Sequence, residues 1–158
     1  MIGNDVVDLA LAKAESNWQR KGYLNKIFTT KEQNLIYSAQ NPTVMVWILW
    51  SRKEAVYKII RQQNGSRGFY PLRIENTDFK NGIIVFEQQL FYTKTTIDEN
   101  FIHSIALQNQ AFNRVVELSN TTSLYKKNEI PYLIEKNRVG DEISFHLSRI
   151  FRAYLANL

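Results

Sequence analysis

The chain contains no cysteine. A disulfide framework, a thiolate metal site and a cysteine nucleophile are therefore all excluded. Long hydrophobic runs are also missing. The longest uninterrupted apolar stretch, Val44 to Trp50, is seven residues, far short of the ~20 needed to cross a bilayer. The opening Met1-Ile2-Gly3-Asn4-Asp5 has no basic stretch followed by an apolar one, so no secretory leader is read there and a cytoplasmic location is expected. No internal repeat, low-complexity tract or linker divides the sequence, which predicts one α+β domain over residues 1–158.

What is present fits a folded protein with one core: 158 residues, 44% apolar and 22% charged. The net charge is +5 and the sequence pI about 9.4. That balance favours an anionic partner, whether nucleic acid, a phosphorylated cofactor or an acidic protein. The basic residues are spread along the chain, so a solvated basic surface is the plain alternative.

Val6, Val7 and Leu9 predict a short opening strand carrying Asp5 and Asp8. A helix is expected over Ala10 to Lys26, with Leu11, Ala14 and Trp18 facing inward. Thr29 followed by Glu32 is a capping box, which starts a second helix running to about Ala39. Asn41-Pro42 starts a third, with Asn as cap and Pro at the first helical position, and Asn64-Gly65 stops it. The second half is richer in Ile, Val, Phe, Tyr and Thr. Strands are expected at Leu72–Phe79, Ile83–Phe86, Leu90–Thr96 and Phe101–Leu107, with turns at Asn81-Gly82 and Asp98-Glu99-Asn100, as in an antiparallel meander. Toward the end, Glu129-Ile130-Pro131 ends a segment and Val139-Gly140-Asp141 is a turn. From Ile143 onward the chain reads as strand at first.

The third helix carries the chemistry. Residues three, four and seven apart share a helical face, so Trp47, Trp50, Glu54, Lys58 and Arg61 form one stripe. Met45, Ile48, Ala55, Val56 and Ile59 cover another side, with Arg52 among them. A carboxylate and two ammonium groups thus sit in a mostly apolar helix beside two tryptophans. Buried charges are retained when they are paired or bind a ligand. The plain reading is an ordinary Glu54–Lys58 pair worth ~0.2–0.5 kcal/mol. The richer one brings in Asp5: magnesium is held by one or two carboxylates plus substrate phosphates and waters. Asp5 and Glu54 would suffice for that, with Lys58 completing a cradle for phosphate. A metal-chelated phosphate ester is the ligand that suits both signs of charge.

Three segments, in order, resemble the 4′-phosphopantetheinyl transferase superfamily, especially its short holo-acyl-carrier-protein synthase type. Gly3-Asn4-Asp5-Val6 resembles the family's opening Gly-Ile-Asp-Ile, and Phe28-Thr29-Thr30-Lys31-Glu32 its Phe-Thr/Ser-x-x-Glu. Trp50-Ser51-Arg52-Lys53-Glu54-Ala55-Val56-Tyr57-Lys58 matches Trp-x-x-Lys-Glu-Ala-x-x-Lys. Clear resemblance covers residues 2–62. It implies helices packed on an antiparallel sheet, and transfer of 4′-phosphopantetheine from coenzyme A to a serine of an acyl or peptidyl carrier protein. It further implies magnesium bound by Asp5 and Glu54, Lys58 on the coenzyme A phosphate with Lys53 in the same motif, and a homo-oligomer, a trimer in the short type. Some members have a further acid two residues after the Asp; here that position is Val7, and Asp8 lies one further along. Members commonly carry Ser-x-Ser-His in a late strand, with the histidine near the coenzyme A phosphate. This chain offers Ile143-Ser144-Phe145-His146, one residue short of that pattern, and His103-Ser104 as a second candidate. An ordinary packed or surface role is the alternative for either histidine.

Two other functions compete. The aromatics and net charge of +5 would permit a nucleic-acid-binding module, although the aromatics fall in apolar periodic runs that read as core. A catalytically idle relative acting as a scaffold is the other, supported by the altered Ser-x-Ser-His region.

Overall fold

The computed structural model describes residues 1–65, 68–115, 124–127, 130–136 and 142–146; in the last three of these segments it describes backbone pairing alone. The chain opens with strand β1 (Ile2–Asp8), followed by α1 (Leu9–Glu15), α2 (Tyr23–Ile27), α3 (Thr30–Ser38) and α4 (Pro42–Asn64). A 3₁₀ turn at Pro71–Arg73 leads into β2 (Glu75–Asp78), β3 (Ile83–Phe86), β4 (Gln89–Ile97) and β5 (Phe101–Leu107), and a second 3₁₀ turn, Phe112–Arg114, follows β5. These five strands form an antiparallel sheet in the order β1-β5-β4-β3-β2, so β1 returns from the start of the chain to lie beside its last strand. A second sheet, β6 (Leu124–Lys127), β7 (Ile130–Lys136) and β8 (Glu142–His146), is antiparallel in that order. The expected strand start near Ile143 is therefore found, whereas Ile130-Pro131 begins a strand and does not end one. The expected turn at Val139-Gly140-Asp141 lies outside the described residues.

The helix expected over Ala10–Lys26 is two short helices. After Glu15 the backbone turns extended at Ser16, and the Asn17 Oδ1 accepts from the Gln19 amide, a local bond that competes with helix continuation. Gly22 then adopts φ +80°, a left-handed conformation open to glycine, and α2 restarts behind it. The break also changes the inner face. Leu11 and Ala14 are exposed, while Ala12 and Trp18 pack on the core. The 3₁₀ turn likewise shortens the strand expected from Leu72, because Pro71 fixes the backbone in a turn before Glu75.

The other helix signals hold. In α3 the Glu32 amide donates to the Thr29 hydroxyl, and the Glu32 carboxylate accepts from the Thr29 amide. In α4 the Asn41 side chain caps the start, and Gly65 in the left-handed region caps the end.

α4 is the central element. Its inner face buries Val46, Leu49, Val56 and Ile59 against Phe28, Ile36, Ile84, Phe91 and Ile102. The sheet lies against it along β1 and β5. The pairings Gly3↔Ala106, Asp5↔Ser104 and Val7↔Ile102 put these residues on one sheet face. Ala106, Ser104 and Ile102 are fully buried, so that face lies under α4. Contact there is close: a Cβ on Gly3 would come within 1.9 Å of the Ala55 carbonyl oxygen. Glycine at position 3 lets α4 settle onto β1, and that approach positions everything below.

Candidate active site

Asp5 stands on β1, an edge of the five-stranded sheet, and points toward α4. Its carboxylate meets the Lys58 ammonium at 3.0 Å, and Lys58 also donates to the Asn4 carbonyl at 2.7 Å. The Ser51 hydroxyl donates to the Asp5 carbonyl at 3.3 Å, fixing the strand against the helix two turns before Lys58. Asp5 is 14% exposed at the side chain and Lys58 43%, so the pair opens to solvent on the lysine side.

Glu54 lies one helical turn before Lys58. Its carboxyl is pushed up to about 7, first by burial, then by the negative charge of Asp5, against the pull of Lys58. Asp5 is also raised by burial, with Lys58 opposing. Two carboxylates that repel each other, with one ammonium between the strand and the helix, carry more negative charge than Lys58 alone compensates. Trp50 and Tyr57, four before and three after Glu54, share its helical face. Phe69 covers both rings edge-on, with centroids 5.5 Å from Trp50 and 5.1 Å from Tyr57. The three rings form an apolar flank on the side of α4 that also carries Glu54.

The two neighbouring basic residues point elsewhere. Lys53 is completely buried. Its ammonium pairs with the Glu32 carboxylate at 2.8 Å and donates to the carbonyls of Pro71, at 2.8 Å, and Ile74, at 2.5 Å. All three protons of the ammonium are thus engaged. The structure does not bring Lys53 to the Asp5–Glu54–Lys58 cluster. Arg52, on the far side of the helix, donates to the Thr95 hydroxyl and the Phe79 carbonyl, each at 2.9 Å, and lies 4.7 Å from the Phe79 ring centre. Burial lowers its guanidinium to about 10.

Asp8 caps α1 through the Leu11 amide. It falls on the opposite sheet face from Asp5, three residues away along an alternating strand. His103 pairs with Val6 in β5, and Ser104 sits directly across from Asp5. His146 closes β8 opposite Tyr132. A surface hollow of about 460 Å³ between Trp18, Arg20, Lys21, Tyr37 and Pro42 shares no residue with the cluster. The partnership of Glu32 with Lys53 was missed in the sequence. The signal was partial: a lysine amid apolar helix positions needs an acid, but no local pattern singles out Glu32 on another helix.

The five-stranded antiparallel sheet under one long helix is a fold shared with known proteins. The model of the 4′-phosphopantetheinyl transferase superfamily matches residues 1–111. The holo-[acyl-carrier-protein] synthase of Fusobacterium nucleatum is 28% identical over 106 residues, which cover 67% of this chain and 85% of that protein. In fold, the chain is similar to the holo-[acyl-carrier-protein] synthase of Helicobacter pylori, solved in complex with coenzyme A. That likeness has a TM-score of 0.54 and 18% identity, covering 68% of this chain and 98% of that one. The Neisseria meningitidis synthase gives a TM-score of 0.51 and 20% identity, over 66% and 94%. The chain belongs to the 4′-phosphopantetheinyl transferase superfamily. Its enzyme class is phosphopantetheinyl transferase of the holo-acyl-carrier-protein synthase type. His146 lies beyond the residues that the family model matches.

Proposed function

We propose that this chain transfers 4′-phosphopantetheine from coenzyme A to a serine of an acyl or peptidyl carrier protein, with magnesium held by Asp5 and Glu54. The observation that carries the reading is the convergence of Asp5, Glu54 and Lys58 from two distant segments at the open edge of the sheet. The donor set suits the ion. Carboxylate oxygens are hard ligands, and two of them leave positions for substrate phosphate and water. Among the described residues no third acid, histidine or cysteine joins them, in keeping with an ion shared with the substrate. When bound there, magnesium supplies Lewis-acid polarisation of the pyrophosphate and offsets charge on the leaving side.

The chain's own residues do the rest. Lys58, part exposed and already tied to β1, offers its ammonium to the phosphate oxygens, where charge grows as the bond to the leaving group lengthens. The serine oxygen attacks the phosphorus that bears pantetheine. The bond from that phosphorus to the bridging oxygen breaks, and adenosine 3′,5′-bisphosphate leaves. The serine proton must be accepted as the new ester forms. Glu54 is the chain's own carboxylate proposed for that step. The apolar flank of Trp50, Tyr57 and Phe69 keeps competing water from one side of the reacting centre. The net charge of +5 favours encounter with an acidic carrier. The family resemblance alone supports a homo-oligomer, a trimer, with sites at subunit boundaries.

The test is direct. The protein is mixed with magnesium, coenzyme A and an apo carrier protein, and the carrier is weighed by mass spectrometry. One phosphopantetheinyl group per carrier is expected. No adduct on any of several carriers would overturn the reading in favour of a non-catalytic binding protein.

A further inference from the structure

We propose that Lys53 is a positioning residue and not a ligand of coenzyme A: with Glu32 it clamps the 69–76 segment to α4 and so holds Phe69 as a wall beside Glu54. This rests on the transferase reading and adds to it a device for shaping the site.

The geometry follows the helix round. Taking 100° per residue, Trp50, Tyr57 and Lys53 succeed one another around α4 on the side of Glu54 that faces away from β1. The 69–76 segment runs over the same arc. Phe69 lies across Trp50 and Tyr57, and the Pro71 and Ile74 carbonyls end on the Lys53 ammonium. Glu32 closes the clamp from α3. One carboxylate oxygen takes the backbone amide and the side-chain amide of Asn76, at 2.9 and 2.7 Å. The other takes Lys53 at 2.8 Å and the Thr29 amide at 2.9 Å. Both charged groups are completely buried.

These contacts tie three elements to one point, next in sequence to Glu54. The 3₁₀ turn and β2 have no other charged anchor on α4 among the described contacts. Loss of the clamp releases the carbonyls of Pro71 and Ile74, and with them the register of Phe69. A reacting group displaced by about 1 Å costs up to ~100-fold in rate.

Steady-state kinetics of the full chain on an apo carrier test this. Lys53→Met is expected to lower kcat about tenfold or more, with KM for coenzyme A changed by less than about twofold. Phe69→Ala is expected to reproduce that pattern, and Lys53→Arg to give no rescue, since the site is closed on all sides. Should Lys53→Met alone fail to fold, the double variant Glu32→Met/Lys53→Met, which leaves no lone buried charge, is expected to fold and show the same split. A raised KM with unchanged kcat would overturn the proposal, since Lys53 would then contact coenzyme A. A lowered melting temperature with both constants unchanged would also overturn it, leaving a purely structural pair. If the wild-type chain transfers nothing, the transferase reading fails on its own account, and the clamp is judged by tryptophan emission. Lys53→Met is expected to shift emission to the red as Trp50 loses Phe69, with no shift in a Trp50→Phe background. An unshifted spectrum would overturn the clamp.

Discussion

At the residue scale, adjacent charged positions of one helix have unrelated tasks, and the side chain's direction decides which. Arg52, Lys53, Glu54 and Lys58 belong to one sequence motif. Yet Lys53 is sealed among carbonyls, Arg52 spans to β4, and Glu54 with Lys58 faces Asp5. The periodicity of α4 separated the Glu54–Lys58 stripe from the rest in the sequence itself. It could not reveal that Lys53 had an acid waiting at Glu32, because that pairing spans two helices. Glu54 gives a prediction with a definite sign. Its folded carboxyl is raised from 4.5 to about 7, so the stabilisation belongs to the protonated form. It is complete below about pH 4.5 and is lost as pH rises through 7. Above that, ionised Glu54 costs the metal-free protein on the order of 3 kcal/mol. Glu54→Gln is therefore expected to raise the melting temperature at pH 8 and to leave it little changed at pH 5; thermal melts in chelator would show a pH-independent difference if this is wrong. Because a cation binds the ionised form, magnesium affinity by calorimetry is expected to rise roughly fivefold between pH 6 and pH 7. For Arg52, replacement by Lys removes the planar fork that reaches Thr95 and Phe79 together. A loss of about 1–3 kcal/mol in denaturant unfolding is expected, with coenzyme A affinity unchanged.

At the scale of elements, the signals that held were those with a local physical cause. The capping box of α3, the Asn41-Pro42 start and Gly65 end of α4, and the Asn81-Gly82 hairpin are each satisfied by neighbours a few residues away. The misread helix after Leu9 failed for the opposite reason: a run of helix-compatible residues hid Asn17 and Gly22, whose turn geometry wins over propensity. Pairing of β1 with β5 depends on residues about a hundred apart, and no local pattern encodes it. It is nevertheless the pairing on which the site depends, and Gly3 is its most sensitive point. Gly3→Ala would drive a methyl into the Ala55 carbonyl. The variant is expected to lose about 1–3 kcal/mol, as overpacked sites do. Transfer should fall more steeply than stability, because Asp5 moves with the strand. Equal activity per folded molecule would show that β1 tolerates the shift.

For the whole molecule, the family match ends at residue 111, and the second sheet, β6 to β8, comes after it. The resemblance read in the sequence was confined to residues 2–62, where the three matching segments stand. The meander of β2 to β5 was expected from the sequence, whereas the placement of β1 beside β5 emerged only with the structure. Carrier encounter is a property of this larger surface. With a net charge of +5, KM for an acidic carrier is expected to rise several-fold between 50 mM and 300 mM salt while kcat holds, as screening shortens the reach of steering. A salt-independent KM would remove electrostatics from the encounter. The account as a whole stands on Asp5, Glu54 and Lys58 acting as one centre. The most direct measurement is the mass of an apo carrier protein incubated with coenzyme A, magnesium and either the wild-type chain or Glu54→Gln. A phosphopantetheinyl adduct formed by the wild type and lost or slowed at least a hundredfold in the variant is the predicted result. Equal modification by both proteins would contradict it.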